Sequence, residues 1–224
     1  MDYSASGVKE LLYRLDFSFT RPTYVLKKAD PEKQDQFLEE FEEIKKEQAA
    51  DPNLVVLFQD ESMIRDYQAI GATWFPKGEQ KLISTYGRHY GAKLIGALDY
   101  ATGEVTCIQR NHYTAVEFLQ FLKIIVKKYS GKKIIMILDN ASIHHAKLLD
   151  GFLEEHKNVL TLKFLPPYSP NLNMIEEFWG WLKKTVIHNV FFPNLKEIKK
   201  AVQGFIDHVN LTPEKTVERI CLQF

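Results

Sequence analysis

The chain has 224 residues, enough to bury one good core with appendages, and its 45% hydrophobic and 26% charged content is that of an ordinary globular protein. No apolar run approaches the ~20 residues that a membrane span needs, and the N-terminus "MDYSASGVKELLYRLDF" has no apolar signal core. With Cys107 and Cys221 in distant, unrelated contexts, neither a disulfide framework nor a cysteine zinc site is indicated, and the expectation is a cytoplasmic protein with no membrane segment.

The net charge of zero conceals an uneven distribution. Residues 30–61 hold eleven Asp and Glu against three Lys and Arg, so the rest of the chain carries an excess of eight positive charges. Lysine pairs at 27–28, 127–128, 132–133, 183–184 and 199–200 permit a polyanionic partner, although dispersed lysines also make a plain solvated surface.

In chain order, residues 4–15 predict a short helix with Val8, Leu11, Leu12 and Leu15 on one face. Prolines make residues 16–31 extended. An acidic helix follows over 31–48, opened by Pro31 and striped by Phe37, Phe41 and Ile44. "LVVLFQ" at 54–59 predicts a strand buried on both faces and ending at Asp60. Residues 63–92 look irregular, with room for short strands near Trp74 and Ile83. A hairpin turning around Ala101-Thr102-Gly103 comes next, then a helix capped by Thr114 with Phe118, Leu119, Leu122, Ile125 and Val126 inward. "KIIMIL" is a second apolar strand, ending at Asp139. A helix over 142–156, a strand "VLTLKF", a helix opening near Asn173 and a last helix from Leu195 to Asn210 complete the series. A hairpin followed by crossovers implies a mixed sheet with helices on its faces, an α/β fold.

Such sheets bind ligands beyond the carboxyl ends of their parallel strands. If the strands ending at Asp60 and Asp139 are parallel neighbours, the two carboxylates come close and repel unless a cation or proton lies between them. A third carboxylate, from the helix near Asn173, would complete an oxygen-ligand site for a hard divalent cation. Ile175, Phe178, Trp179, Leu182 and Val186 form that helix's buried stripe, which leaves Glu176 on its flank and Glu177 opposite. Glu176 also falls three residues after Asn173, where a capping-box glutamate reaches back to the cap's N–H. Both roles stand open on the local sequence.

"FQDES", "ILDNASIHHAK" and "LPPYSPNLNMIEEFWGWLK" resemble, in that order, the three motif blocks of DDE transposases of the mariner/Tc superfamily, in its bacterial insertion-sequence branch. Thirty-six residues separate Asp139 from Glu176, near the family's spacing, and the resemblance extends to "RP" at 21–22, "AD" at 29–30 and "TWFPKG" at 73–78. It implies a ribonuclease-H-like fold, with Asp60, Asp139 and Glu176 as a catalytic and metal-binding triad for two Mg²⁺ ions, Mn²⁺ substituting. It also implies DNA as partner (transposon ends, and a target cut at a TA dinucleotide) and a homodimer on that DNA. Met174 stands where the family commonly has proline. Family members carry two helix-turn-helix units before the catalytic domain, and residues 1–22 resemble only the tail of the second.

The expected organisation is therefore a helix-turn-helix remnant at 1–22, a linker and acidic helix at 23–52, a catalytic domain at 53–191 and a helical extension at 192–224. Asn140 and His144 match the second block and would orient ligands or approach phosphate; a helix-start asparagine and a surface histidine are the plainer alternatives. His145 is expected on the surface, Ser62 in a turn or near the site, and Glu61 pointing away from Asp60. Trp74 could stack on an unpaired base or lie partly buried in the core. Trp179 belongs to the core and Trp181 to a rim, while Lys183 and Lys184 either meet phosphate or face solvent. The competing functions are a ribonuclease-H-like nuclease or resolvase, and an inactive or domesticated DNA-binding module.

Overall fold

The computed structural model describes residues 4–20, 28–65, 70–87 and 91–220. Five strands form one mixed sheet: β1 (Leu54–Arg65), β2 (Gly91–Asp99), β3 (Val105–Arg110), β4 (Lys133–Leu138) and β5 (Leu160–Phe164), in the order β3-β2-β1-β4-β5. The hairpin strands pair antiparallel, whereas β1 with β4 and β4 with β5 pair parallel. The predicted order of elements and the adjacency of the two aspartate-bearing strands hold.

Period-two alternation along β1 distributes its side chains between two cores. Val56, Phe58 and Ile64 face one layer; Val55 and Leu57 face the other. The first layer holds α2 (Pro31–Ala50), α5 (Ile175–Val186), α6 (Leu195–Val209) and α7 (Glu214–Ile220); the second holds α3 (Ala115–Lys128) and α4 (Asp150–Glu155). The acidic helix α2 packs in cis through Phe37, Phe41 and Ile44, with the Phe41 ring 5.4 Å from those of Phe58 and Tyr100. Its outer acids stay in water. The N-terminal α1 (Ala5–Arg14), capped by Ser4, leaves Val8, Leu11 and Leu12 exposed on the face the sequence had marked as apolar. Among the described residues no helix is long and apolar enough to cross a membrane.

Four local expectations change. Strand β1 does not stop at Asp60 but runs to Arg65, because β2 continues to pair with it as far as Arg65↔Gly91 after β4 has parted at Phe58↔Ile137. Residues 142–156 are not one helix: 3₁₀ turns at Ser142–His145 and Lys147–Leu149 precede α4, separated by Ala146 in an extended conformation (φ −72°, ψ 133°). No strand forms around Trp74 or Ile83 in the described residues 70–87, which are held instead by Asn189 bonding both main-chain groups of Gly71 and by Tyr86 against Phe191. Helix α7 was not predicted as a separate element, although it falls within the stretch 192–224 expected to be a helical extension. It lies over the β2–β3 turn, whose Gly103 has φ +75° and would bring any Cβ within 2.1 Å of the Pro213 carbonyl. Part of the stretch expected to be extended, including "RP" at 21–22, lies outside the described residues, as does Cys221.

Candidate active site

Asp60 and Asp139 are brought together by strand register. The last parallel pair of β1 and β4 is Phe58↔Ile137, and carrying that register on by two residues sets Asp60 level with Asp139, where β4 ends and β1 runs on beside β2. The segment after β5 returns across this end of β4 through Leu165–Pro170 and delivers Glu176 on the first turn of α5. Asp60, Asp139 and Glu176 line one cavity of about 430 Å³, with Asn140, Tyr168 and Asn173 in its wall.

Glu176 does not cap its helix. The Asn173 N–H, which a capping-box glutamate would take, donates to the Pro170 carbonyl at 3.0 Å. Nor does the Asn173 side chain cap: its Nδ2 donates to the Gln59 carbonyl at 3.0 Å and ties the start of α5 to β1. The carboxylate of Glu176 is left to the cavity.

Electrostatics within the three acids are unbalanced. Burial, followed by the charges of Glu176, Glu61 and Asp139, pushes Asp60 up to about 8. Glu176 is raised as well, chiefly by burial of its carboxyl end and further by Asp139, with Lys183 opposing. Asp139 goes the other way, held below the usual carboxylate range first by the hydrogen bond from His144. Three oxygen donors that cannot all ionise without compensating charge are a donor set suited to a hard divalent cation.

Asp60 is aimed by Trp179, whose Nε1–H donates to Asp60 Oδ2 at 3.1 Å although the ring is otherwise fully buried. Gly96, the β2 partner of Asp60, makes that contact possible. A Cβ at Gly96 would lie 2.6 Å from Trp179 Cη2, so the indole occupies the space that any other residue would fill. Gly96→Ala is expected to destabilise the fold by about 1–3 kcal/mol through this overpacking. It also shifts the indole from Asp60; a melting curve and a cleavage assay read the two effects separately.

On the opposite face of β1, Glu61 points away from Asp60 as alternation requires, and meets His144. That histidine is buried, not a surface residue: its Nε2 lies 3.2 Å from Glu61 Oε1, and its Nδ1 lies 3.1 Å from the Asp139 carbonyl and 3.2 Å from Asp139 Oδ1. Burial pushes its pKa down, but the bonds to Asp139 and Glu61 outweigh that and carry it up to about 9. Glu61, Asp139 and His144 together place one ligand atom each within 4.8 Å of one another. Asn140 donates through Nδ2 to the Leu165 carbonyl at 2.6 Å, closing the β4 end onto the motif loop. His145 is exposed and stacks on Phe164; Ser62 is buried, with its carbonyl accepting from Tyr113.

The remaining candidates do not converge on the cavity wall. Trp74 is wholly exposed, which overturns the core alternative, because no strand carries its segment back into the sheet. Lys183 is half-buried on α5 and Lys184 exposed. Trp181 is partly buried, wedged between Phe178, Phe205 and the Arg219 guanidinium. The roles of Glu61, Gln59 and Trp179 beside the acids were not read from sequence. Only the alternation that turns Glu61 from Asp60 pointed toward them.

A family model described as DDE superfamily endonuclease matches residues 55–199, a span that contains all three acids. The chain belongs to the DDE superfamily of endonucleases. A second model, described as winged helix-turn helix, matches residues 1–41 of this DDE superfamily member. Over 159 residues the chain is 31% identical to the insertion element IS630 uncharacterized 39 kDa protein of Shigella sonnei, covering 70% of this chain and 46% of that protein. The chain thus spans less than half the length of that relative. Among solved structures, the Mos1 strand transfer complex is similar with a TM-score of 0.64 at 13% identity, over 97% of this chain and 67% of the other. The Mos1 mariner paired end complex with Mn gives 0.62 at 16% identity, over 96% and 68%. At those identities the likeness establishes the fold, the ribonuclease-H-like arrangement of a mixed sheet between helical layers.

Proposed function

We propose that this chain is the catalytic part of a transposase, cleaving DNA strands and joining the freed 3′-hydroxyl to target DNA by in-line phosphoryl displacement. The observation that carries this reading is the meeting of Asp60, Asp139 and Glu176 at one cavity in a DDE superfamily member. Those three residues are the ones that would hold divalent metal, Mg²⁺ with Mn²⁺ as substitute and two ions per site. Bound there, such ions supply Lewis-acid stabilisation of the attacking and leaving oxygens.

The chain's own groups prepare that chemistry. Trp179 fixes one oxygen of Asp60, the His144 imidazole fixes Asp139, and Asn140 holds the end of β4 against the loop that delivers Glu176. Lys183 and Lys184 on α5 and the exposed Trp74 are proposed to meet DNA, the lysines at phosphates and the indole at an unstacked base. Transposon ends, a TA target dinucleotide, a dimer on DNA and action in the cytoplasm belong to the same reading. So does the division into a helix-turn-helix remnant (1–22), a linker with acidic helix (23–52), a catalytic domain (53–191) and a C-terminal extension (192–224). The match of the winged helix-turn helix model over 1–41 supports a DNA-recognition role at the N-terminal side.

The test is conversion of supercoiled plasmid to nicked and linear forms in Mg²⁺ or Mn²⁺, together with joining of a duplex bearing a free 3′-hydroxyl to that plasmid. Both products are expected, and both vanish on chelation with EDTA. Nicking without joining would make the protein a nuclease; neither product would leave only a DNA-binding module.

A further inference from the structure

We propose that Gln59, Glu61 and His144 form a buried relay that holds the Asp139 carboxylate in position, making Glu61 a positioning residue for the cation site. The inference rests on the reading of Asp139 as a metal ligand and extends it to side chains that never face the cavity.

Asp139 needs such support. It follows the last residue of β4, beyond the end of strand pairing, and its side chain is 53% exposed. Locally, its Oδ1 accepts only from the Ala141 N–H, at 2.9 Å. The other support comes from His144, whose side chain is 1% exposed and whose ring is backed by Phe118 at 4.4 Å between centroids. Each ring nitrogen faces acceptors only: the Asp139 carbonyl and carboxylate at Nδ1, the Glu61 carboxylate at Nε2. The ring is thus held at both nitrogens, between the end of β4 on one side and Glu61 on the other, and cannot turn without breaking contacts on both.

Glu61 is fixed in turn. The same Oε1 that meets His144 accepts from Gln59 Nε2 at 2.9 Å, and Gln59 is wholly buried. The Gln59 carbonyl receives Asn173 Nδ2 at 3.0 Å. One chain of hydrogen bonds thus runs from the start of α5, through β1, to the end of β4, linking the three elements that bear Asp60, Asp139 and Glu176. Adjacent carboxylates in β1 divide the work by alternation: Asp60 faces the cavity, and Glu61 faces the relay behind it.

The experiment is calorimetric titration of Mn²⁺ into the full chain, with thermal melts of the same samples. Glu61→Leu and His144→Phe are each expected to weaken Mn²⁺ binding by about ten- to a hundredfold, the range typical of partners that orient a metal ligand. Because Glu61 acts through the ring, the double variant should bind no more weakly than His144→Phe alone. Glu61→Gln, which keeps an acceptor for Nε2–H, should retain most of the affinity. Additive losses in the double variant would mean that Glu61 acts on the cation directly, and would overturn the relay. So would wild-type Mn²⁺ affinity in Glu61→Leu and His144→Phe, whatever their melting temperatures. Should Glu61→Leu not fold, His144→Phe decides alone by the same criterion. Asp139→Asn serves as the separate control: if it binds Mn²⁺ as well as wild type, the metal-ligand reading itself fails, independently of the relay.

Discussion

Asp139→Asn is expected to lower metal-dependent strand cleavage by about a thousandfold or more, the equivalent of about 4 kcal/mol of lost charge stabilisation at the reacting phosphate. The substitution is nearly isosteric and its structural consequences are small. Asparagine retains Oδ1, which still accepts from the Ala141 N–H and from His144. What it loses is the negative charge that the His144 bond stabilises most in this carboxylate. Because Asp139 is half exposed, the weakened bond should cost about 1 kcal/mol, a fall of about 2–4 °C in melting temperature for a chain of this size. Initial rates of plasmid nicking, with circular dichroism melts of the same preparations, separate the two effects. Glu176→Gln should behave alike, since Glu176 carries no cap whose loss would confuse the result. Wild-type cleavage by Asp139→Asn would remove the residue from the catalytic centre.

The parts of the fold that sequence reveals are those set by local periodicity. The apolar runs at 54–59 and 133–138 read directly as strands, and the i, i+3, i+4 stripe of Ile175, Phe178, Trp179 and Leu182 reads directly as a buried helix face. From these the meeting of Asp60 and Asp139 follows, because parallel neighbours in register bring the residues after their apolar runs level with each other. Contacts made across the sheet stayed hidden. The continuation of β1 past Asp60 depends on β2, whose pairing is not encoded in "DESMIR" itself. The break at Ala146, whose backbone is extended between the two 3₁₀ turns, has no proline or glycine in "SIHHAKLL" to announce it. Trp179 was legible as core, yet its Nε1–H bond to Asp60 required knowing that a glycine lies opposite. Asn173 and Glu176 satisfy the pattern of a capping box, but the 3₁₀ turn at Pro170–Leu172 takes up the N–H that the box would use. Local propensity marked these residues, and tertiary pairing assigned their partners.

Asp60→Asn is expected to stabilise the metal-free protein while abolishing cleavage. In the fold, Asp60 titrates at about 8 against an ordinary value of 3.8, with burial as the first cause and Glu176 the second. An acid whose folded pKa is raised contributes stability that is complete below its unfolded pKa and is lost as pH rises through the folded one. The metal-free wild type should therefore lose stability between pH 4 and 8. Glu176 adds a loss of the same sign, and His144, raised to about 9, adds another above pH 6.5. Asparagine has no proton to lose, and its Oδ1 can still accept from Trp179 while its amide donates toward Glu176. The difference between variant and wild type reports Asp60 together with its coupling to Glu176: near zero at pH 4, and on the order of a few kcal/mol in favour of the variant at pH 8. In melting temperature that is a gain of about 5–10 °C. Millimolar Mg²⁺ should raise the wild type at pH 8 by binding only the folded state, and should leave Asp60→Asn nearly unmoved. A wild type whose melting temperature stays level from pH 5 to 8 without metal, and does not respond to Mg²⁺, would show that these carboxylates carry no repulsion for a cation to relieve. The repulsion is the cost of bringing three acids to one cavity, and a protein selected only for stability would have put an amide there.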